Sequence, residues 1–394
     1  MTFGYYWRLI QRMNWPMTAA ACVLMVIGVA FVYGASRSNE ALQASPLFLK
    51  QVMWAVVGLG CYAAVAAWDY QRLGKLAWPM YGASLFLLVL VLLMGKTTSG
   101  ATRWLELVGG IRIQPSELAK LATVVVLATM LNRSGMDFGR PGPILGLLAV
   151  VLAPVLLIMK QPDLGTAMVF VPTLFIMIVV AGVPFRTLVI LVSIGVVLVG
   201  ILLGALFIPP RLGVDEERQA RILKSIGISE YQKERILGFL DSDRDKYGRG
   251  WNRLQSEIAV GSGGAWGKGF MKGTQNILGF LPRSVAPTDF IYSVIAEETG
   301  FFGSVVVLFL FGSITFFGLQ TALAARDKLG RLLCVGMIGV IFSHVFINIA
   351  MTVGLMPITG LPLPLLSYGG TFMIVVLTAL GVVQSVYIRS RHGA

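Results

Sequence analysis

The sequence predicts an all-α, polytopic membrane protein with ten transmembrane helices and one long extracytoplasmic loop. This prediction rests on the high share of hydrophobic residues and the low share of charged residues. Hydrophobic residues make up 56% of the 394 residues and charged residues only 13%, against about 25% charged residues in an ordinary soluble domain. A chain this apolar cannot hide its nonpolar surface in one water-facing core, and its aromatic and branched residues exclude disorder. A soluble globular fold is therefore excluded.

Ten apolar runs are long enough for membrane-spanning helices, which need about 20 mostly apolar residues. The first run follows Arg8 and Arg12, as in a secretory signal, but its length and the later runs favour an uncleaved signal anchor. We expect a single membrane domain over residues 1–394. The ten runs begin at Met17, Phe48, Leu76, Gln114, Pro143, Leu164, Thr187, Gly300, Leu332 and Phe372.

The charge distribution predicts that both termini are cytoplasmic. An even number of spans places the termini on one side, and cytoplasmic connectors are enriched in Lys and Arg. With the N-terminus inside, the inner segments carry more Lys and Arg than the short outer connectors. The net charge of +13 is spread over connectors rather than gathered in one basic block, so nucleic-acid binding is not expected.

The long loop at residues 209–288 lies between the seventh and eighth spans, and loops of this length are usually functional. Charged and aliphatic residues alternate at helical spacing from Glu216 to Phe239. This pattern is typical of an amphipathic helix on the membrane surface, or of a solvated helical hairpin.

Cysteine and histidine usage gives no metal site of a usual kind. Cys22, Cys61 and Cys334 all lie in apolar runs, where they act as small hydrophobes rather than as a disulfide framework. The chain has only two histidines, so a zinc site lacks ligands. His344, four residues before Asn348 in the ninth span, is more typical of a hydrogen-bonded packing residue than of a ligand.

Ionisable side chains inside a span are energetically costly, so each marks a candidate site. The fourth span opens with Q-P-S-E-L-A-K, from Gln114 to Lys120. Glu117 and Lys120 are three residues apart, so they share a helical face and can pair. A structural reading explains Glu117, which suits the dipole of a helix start, but leaves Lys120 unexplained. The pattern therefore favours a functional pair.

Two neighbouring segments carry further candidates. The run K-Q-P-D-L-G-T from Lys160 to Thr166 joins the fifth and sixth spans, and Asp163 there either caps the next helix or belongs to a site. Arg103 and Trp104 precede the fourth span in a predicted loop. Trp104 is equally suited to anchoring at the membrane interface.

Three carboxylates, Asp289, Glu297 and Glu298, lie at the start of the eighth span. Asp289 is a suitable helix N-cap. A carboxylate at a membrane-facing cleft can also act as a general base when burial holds its pKa near the working pH. Both interpretations are open at this point.

Two glycine-containing segments differ in what they predict. The run M-P-I-T-G-L-P-L-P-L-L-S-Y-G-G-T from Met356 to Thr371 cannot continue a helix, and such backbone at membrane depth lies against protein or a wet cavity. We expect it to line the site. The run from Gly261 to Gly269 lacks the P-loop spacing and its Ser or Thr, which disfavours nucleotide binding.

With the N-terminus inside, every one of these clusters emerges on the outer side. A pump or channel also needs ionisable groups near the midplane and the inner mouth. An enzyme that acts on a lipid-linked substrate needs them at one interface.

These motifs, in this order, resemble the SEDS family (shape, elongation, division and sporulation), the bacterial peptidoglycan glycosyltransferases that include RodA and FtsW. The similarity runs from the first span to the last. The glycine-rich run and the following Gly273, Thr274 and Gln275 look most like the RodA branch. One stretch departs from the family pattern: the segment before Asp289 is longer, with Arg283 in place of a Glu and Pro287 in place of a His.

The resemblance implies a glycan polymerase that joins lipid II units through β-1,4 linkages, with inversion at the anomeric carbon, during cell elongation. Asp289 takes the place of the family's proposed general base. A lipid II flippase is the alternative, which would need access from the inner leaflet but no proton acceptor. The residues expected to bind substrate are Arg103, Trp104, Glu117, Lys120, Lys160, Asp163, Ser367 and Tyr368.

The resemblance also implies partners and a location. The substrates are lipid II and the growing lipid-linked glycan, and the protein partners are a class B penicillin-binding protein, which is a transpeptidase, and the elongation machinery. A divalent metal, Mg²⁺ or Mn²⁺, is left open. The expected location is the bacterial inner membrane, with the active site on its outer face.

Overall fold

The computed structural model describes residues 11–36, 46–98, 101–106, 112–133, 138–211 and 249–390, and the single residues 218, 221, 223 and 233. Helices make up most of the described chain. The predicted surface helix from Glu216 to Phe239 lies almost entirely outside the described residues. Of the long loop, only the second half can therefore be followed.

Twelve helices and three short strands make up the described part of the chain. The helices are α1 Trp15–Ser36, α2 Pro46–Ala67, α3 Gln71–Met94, α4 Pro115–Leu131, α5 Pro141–Lys160, α6 Leu164–Val180, α7 Phe185–Arg211, α8 Arg249–Ser262, α9 Thr274–Ile277, α10 Ile291–Leu323, α11 Lys328–Thr352 and α12 Thr371–Ser390. The strands are β1 Lys96–Thr98, β2 Ala101–Glu106 and β3 Arg112–Ile113.

Within the described residues, eight helices are long and apolar enough to cross a membrane: α1, α2, α3, α5, α7, α10, α11 and α12. The helices α4 and α6 have 17 residues each, below that length. Each of the ten predicted spans contains a helix. The multi-pass, all-α architecture is confirmed, and the count of ten spans stays a prediction.

The helices α11 and α12 form the centre of the bundle. In each of them 78% of the most apolar stretch is buried inside the protein, whereas in α7 the share is only 6%. The central α11 packs against α4, α6, α10 and α12, and α12 packs against α2. Polar side chains on α11 can therefore reach several other helices, while α7 lies at the edge of the described bundle.

The sequence did not predict the small sheet. The strands β1, β2 and β3 pair antiparallel in that order. Arg103 and Trp104 lie on β2 rather than in an irregular loop, and Trp104 pairs with Lys96 of β1. Strand pairing gives these two side chains a fixed position beside the start of α4.

The helix of the eighth predicted span extends beyond its apolar run. The apolar run begins at Gly300, but α10 starts at Ile291, close to the start that Asp289 as N-cap predicts. Gly300 is instead a kink inside the helix, with φ of 68° and ψ of −159°. A positive φ of this kind suits glycine, which lacks the Cβ that causes the steric clash.

At the end of the bundle where α11 begins, Asp327 caps that helix by accepting a hydrogen bond from Gly330 N at 2.8 Å. The Tyr70 hydroxyl donates to the same carboxylate at 3.1 Å. Burial, and then the nearby Asp327 charge, raise the pKa of Tyr70 to about 12. This contact ties the α2–α3 connection to the central helix.

Candidate active site

A buried cluster of three ionisable side chains joins α4 to α11. Lys120 Nζ lies 2.8 Å from Glu117 Oε1 and 2.5 Å from His344 Nε2. Because an ammonium group only donates, Nε2 of His344 is the acceptor and the ring proton is assigned to Nδ1. Lys120 and His344 are each 1% exposed. The predicted Glu117–Lys120 pair therefore forms, and Lys120 faces protein rather than solvent.

The side chain of Asp163 caps a helix, which is one of the two roles that the sequence left open, and it also contacts two other elements. Its carboxylate caps α6 by accepting from Thr166 N at 3.2 Å. It also accepts from Gln114 Nε2 at 3.2 Å, and Arg103 Nε lies 3.7 Å from the same oxygen. Arg103 Nη2 donates to the Pro162 carbonyl at 2.8 Å. Asp163 therefore connects β2, the start of α4 and the start of α6.

Asp289 lies immediately before α10 and is half-buried. The N-cap residue of α10 is Phe290, and no side-chain hydrogen bond from that residue caps the helix. The N-cap position of α10 is therefore held by Phe290, one residue after the predicted Asp289, whereas Asp163 does occupy the N-cap position of α6. The backbone N–H of Asp289 donates to Val285 O at 3.0 Å. The residue that bears the carboxylate therefore belongs to a tight turn.

Three consecutive backbone carbonyls, those of residues 287–289, are each held by a different donor. Tyr368 N donates to Pro287 O at 2.8 Å. Ser367 Oγ donates to Thr288 O at 2.5 Å. Asn348 Nδ2 donates to Asp289 O at 2.9 Å. The segment that carries Asp289 is thus fixed from two sides, by α11 and by the proline-rich loop, residues 353–370.

The proline-rich loop is itself held in place by local hydrogen bonds. Ser367 Oγ accepts from Leu363 N at 2.7 Å, and Gln51 Nε2 of α2 donates to Ser367 O at 3.2 Å. Burial raises the pKa of the Tyr368 phenol, and the Arg112 charge partly offsets this. Arg112 belongs to β3, so the loop lies near the small sheet. The irregular segment therefore packs against protein, one of the two surroundings that the sequence predicts, and its place in a substrate site stays a prediction.

Glu297 and Glu298 hold the glycine-rich loop, residues 263–273. Lys268 Nζ lies 2.6 Å from Glu297 Oε1, and Met271 N donates to Glu298 Oε2 at 2.8 Å. The backbone carbonyls of the two glutamates accept from Lys268 N at 3.0 Å and Gly269 N at 2.9 Å. Backbone donors that a phosphate would need are bound to the protein instead. These two carboxylates therefore have a structural role.

The structure brings most of the sequence candidates to one end of the bundle and adds two residues. Lys160 is exposed at the end of α5, outside the contacts described above. His344 and Asn348, one turn apart on α11, enter the site although the sequence suggested only packing. Their spacing of four residues on one helix face was the available signal. Among the described residues, no group of three or more His, Cys, Asp or Glu side chains could hold a metal ion.

These features define a polytopic membrane protein with a half-buried carboxylate at one end of a helical bundle, where a proline-rich loop meets the central helix. The model of the FtsW/RodA/SpoVE family, described as "Cell cycle protein", matches residues 14–392. The chain therefore belongs to this family.

Similar proteins agree with this assignment. The peptidoglycan glycosyltransferase RodA of Treponema pallidum is 32% identical over 97% of this chain and 99% of its own length. The peptidoglycan glycosyltransferase MrdB of Escherichia coli K12 is 37% identical over 78% of this chain and 76% of its own length.

Two solved structures share the fold. One belongs to a peptidoglycan synthase complex described as coordinating polymerization and crosslinking; it has a TM-score of 0.74 and 30% identity, covering 96% of this chain and 99% of that one. The rod shape determining protein RodA of Thermus thermophilus has a TM-score of 0.66 and 28% identity, covering 97% of this chain and 98% of that one.

Proposed function

We propose that this chain is a peptidoglycan glycosyltransferase of the RodA type, which polymerises lipid II into β-1,4-linked glycan strands during cell elongation. The names of its relatives support the activity, because RodA and MrdB are both called peptidoglycan glycosyltransferases. The observation that carries the assignment of the site is Asp289, a half-buried carboxylate on a segment whose three consecutive carbonyls are all bound.

Asp289 is proposed as the general base. The 4-hydroxyl oxygen of one sugar forms a bond to the anomeric carbon of the other, and the bond from that carbon to the pyrophosphate oxygen breaks. The hydroxyl proton passes to Asp289, and the electron pair leaves with the polyprenyl pyrophosphate. Attack from the face opposite the leaving group inverts the anomeric carbon. A positioned base typically contributes about 10²- to 10⁴-fold in rate.

The departing pyrophosphate needs positive charge, which is usually a large catalytic contribution in a site that excludes water. Arg103 keeps a 16% exposed side chain beside Asp163, so it is the proposed contact. Lys120 is covered by Glu117 and His344, which favours a role in positioning α4 against α11. The described residues offer no three-ligand set for Mg²⁺ or Mn²⁺, so no step is assigned to a metal.

The remaining candidates fall into two groups. Trp104 is half-buried on β2 beside Arg103, where its ring can contact a sugar or lipid headgroup. Ser367 and Tyr368 contact the Asp289 segment through Oγ and the backbone N–H, which favours positioning, although the Tyr368 phenol remains a substrate candidate. Lys160 stays a prediction, as an exposed cation at the last residue of α5, before the short turn that leads to Asp163.

The proposed orientation places Asp289 on the outer face of the inner membrane and both termini in the cytoplasm. Lipid II and the lipid-linked glycan are the proposed substrates there. A class B penicillin-binding protein and the elongation machinery are the proposed partners. The similarity to a chain of a complex described as coordinating polymerization and crosslinking supports the transpeptidase partner.

Polymerisation of purified lipid II by the complex of this chain with its transpeptidase partner tests the proposal. We expect glycan strands from the wild type and none from Asp289→Asn. Glu257→Gln is the matched control, because it neutralises another partly exposed carboxylate that pairs with Arg253 at 2.7 Å. Full polymerisation by Asp289→Asn, with normal folding and partner binding, would remove Asp289 from the base role.

Labelling of single cysteines in intact spheroplasts tests the orientation. Trp266→Cys is placed on the glycine-rich loop, where the native side chain is 79% exposed. Lys328→Cys lies at the first residue of α11, which follows the opposite end of α10. A membrane-impermeant maleimide should label position 266 directly and position 328 only after permeabilisation. The reverse pattern would place Asp289 inside the cell and contradict the proposal.

A further inference from the structure

Asn348 of α11 is completely buried and binds two segments that are distant in the sequence. Its side-chain amide donates to Asp289 O at 2.9 Å and to Leu361 O at 2.7 Å. The first acceptor belongs to the segment before α10, and the second to the proline-rich loop. Both hydrogens of the amide nitrogen are thus used, and each holds an irregular segment against the central helix.

The orientation of this amide follows from its neighbours. Both neighbours are backbone carbonyl oxygens, which only accept, so the NH₂ group and not the oxygen of Asn348 must face them. An aspartate at this position has nearly the same shape but no donor for either carbonyl. Among the described residues, Asn348 Oδ1 has no hydrogen-bond partner. The side chain is therefore anchored entirely by the two bonds that it donates.

Given the proposed role of Asp289 as the base, on which this step rests, we infer that Asn348 is a positioning residue for that carboxylate. Asn348 holds the Asp289 backbone directly. Through Leu361 O it also holds the proline-rich loop, whose Ser367 donates to Thr288 O. One turn earlier on the same helix, His344 accepts from Lys120. The helix α11 thus sets the position of the base relative to α4.

A positioning role has a kinetic signature. Misplacement of a reacting group by about 1 Å can cost about 100-fold in rate. Asn348 itself does not contact the substrate in this scheme, so loss of its donors should lower kcat and leave KM for lipid II nearly unchanged.

The experiment compares Asn348→Leu, Asn348→Asp and Gln384→Leu in the full chain with its transpeptidase partner. Gln384 is the matched control: it is a buried amide on the neighbouring α12, and neither its Oε1 nor its Nε2 has a hydrogen-bond partner among the described residues. The readouts are kcat and KM for lipid II, and hydrogen exchange of the backbone amides at residues 285–293, which does not depend on activity.

For both Asn348 variants we expect kcat to fall about 10- to 100-fold, KM to stay within about threefold, and exchange to accelerate selectively at residues 285–293. Gln384→Leu should match the wild type in all three. Unchanged kcat and exchange in Asn348→Leu, a rise in KM alone, or faster exchange throughout α10, α11 and α12 would each overturn the inference. If Asp289→Asn polymerises normally, the base role fails, whereas the exchange data still report whether Asn348 holds this segment.

Discussion

Lys120 Nζ lies 2.5 Å from Nε2 of His344, although the two residues are 224 positions apart in the sequence. This contact joins the start of α4 to the middle of the central helix. Glu117, one turn before Lys120, supplies the balancing charge at 2.8 Å. A buried charge of this kind is costly unless its partners remain in place, so the cluster specifies how α4 and α11 pack.

Removing one member of the Glu117–Lys120 pair should cost more stability than removing both. Lys120→Met leaves the Glu117 carboxylate buried without its cation, and we expect a loss of about 3–5 kcal/mol. The double variant Glu117→Gln/Lys120→Met removes both charges and should be clearly more stable than the sum of the two single losses predicts. Denaturant unfolding in one detergent measures the free energy of unfolding of the wild type, the two single variants and the double variant. Strictly additive losses of this free energy would contradict an energetic coupling between Glu117 and Lys120.

A methyl group at Gly28 should disturb the site from the first helix. A Cβ there would lie 2.7 Å from Leu366 Cα and closer still to Leu365 O, in the proline-rich loop. Because both obstacles are backbone, the loop that carries Ser367 must move, and overpacking of this kind typically costs about 1–3 kcal/mol. We expect Gly28→Ala to lower polymerisation about tenfold or more.

The control for Gly28→Ala is Gly60→Ala on α2, where a Cβ would meet nothing within 4 Å. Both variants make the same chemical change inside an apolar helix. Equal polymerisation by the two variants would show that the contact between α1 and the loop has no effect on the site.

The glycine-rich loop should detach when Gly267 is replaced. This residue has a φ of +77°, and a Cβ would lie 2.5 Å from Thr299 N and closer to Glu298 O. Strained backbone of this kind costs about 1–3 kcal/mol, in addition to the clash. Gly267→Ala should therefore increase proteolysis within residues 263–273. Gly261→Ala, at a position with open space, should leave the cleavage pattern unchanged.

Stability should depend on Tyr70 at high pH. The pKa of Tyr70 is about 12 in the folded protein, above its ordinary value of 10, so the unfolded chain loses the proton first. The stabilisation by Tyr70 is therefore complete below about pH 10 and declines as the pH rises towards 12. The stability difference between wild type and Tyr70→Phe should shrink over that interval in unfolding experiments. Parallel pH curves for the two proteins would contradict this assignment.

The sequence could predict those parts of the fold and the site that depend on local spacing. The hydropathy runs locate the helices because a bilayer imposes a minimum apolar length. The Glu117–Lys120 pair follows from a spacing of three residues, and Asp163 lies at the N-cap that its motif predicts. These contacts need no knowledge of how the helices pack.

The contacts that fix the proposed base are long-range and could not be predicted in the same way. Asn348 and Asp289 are 59 residues apart, and Ser367 and Thr288 are 79 residues apart. Helical periodicity identifies a buried face but not the element that the face meets. For the same reason the sequence left His344 as a packing residue. It also did not show that Glu297 and Glu298 bind the glycine-rich loop.

The helix α7 differs from the rest of the bundle because only 6% of its most apolar stretch is buried in the protein. A side chain that packs against no neighbouring helix has no close-packed shape to match, so a spanning helix of this kind needs apolar length rather than a particular residue order. A shuffled α7 of the same composition should consequently support growth, whereas a shuffled α11 should not. Variants of unknown effect in α7 that exchange one aliphatic residue for another are therefore expected to be silent.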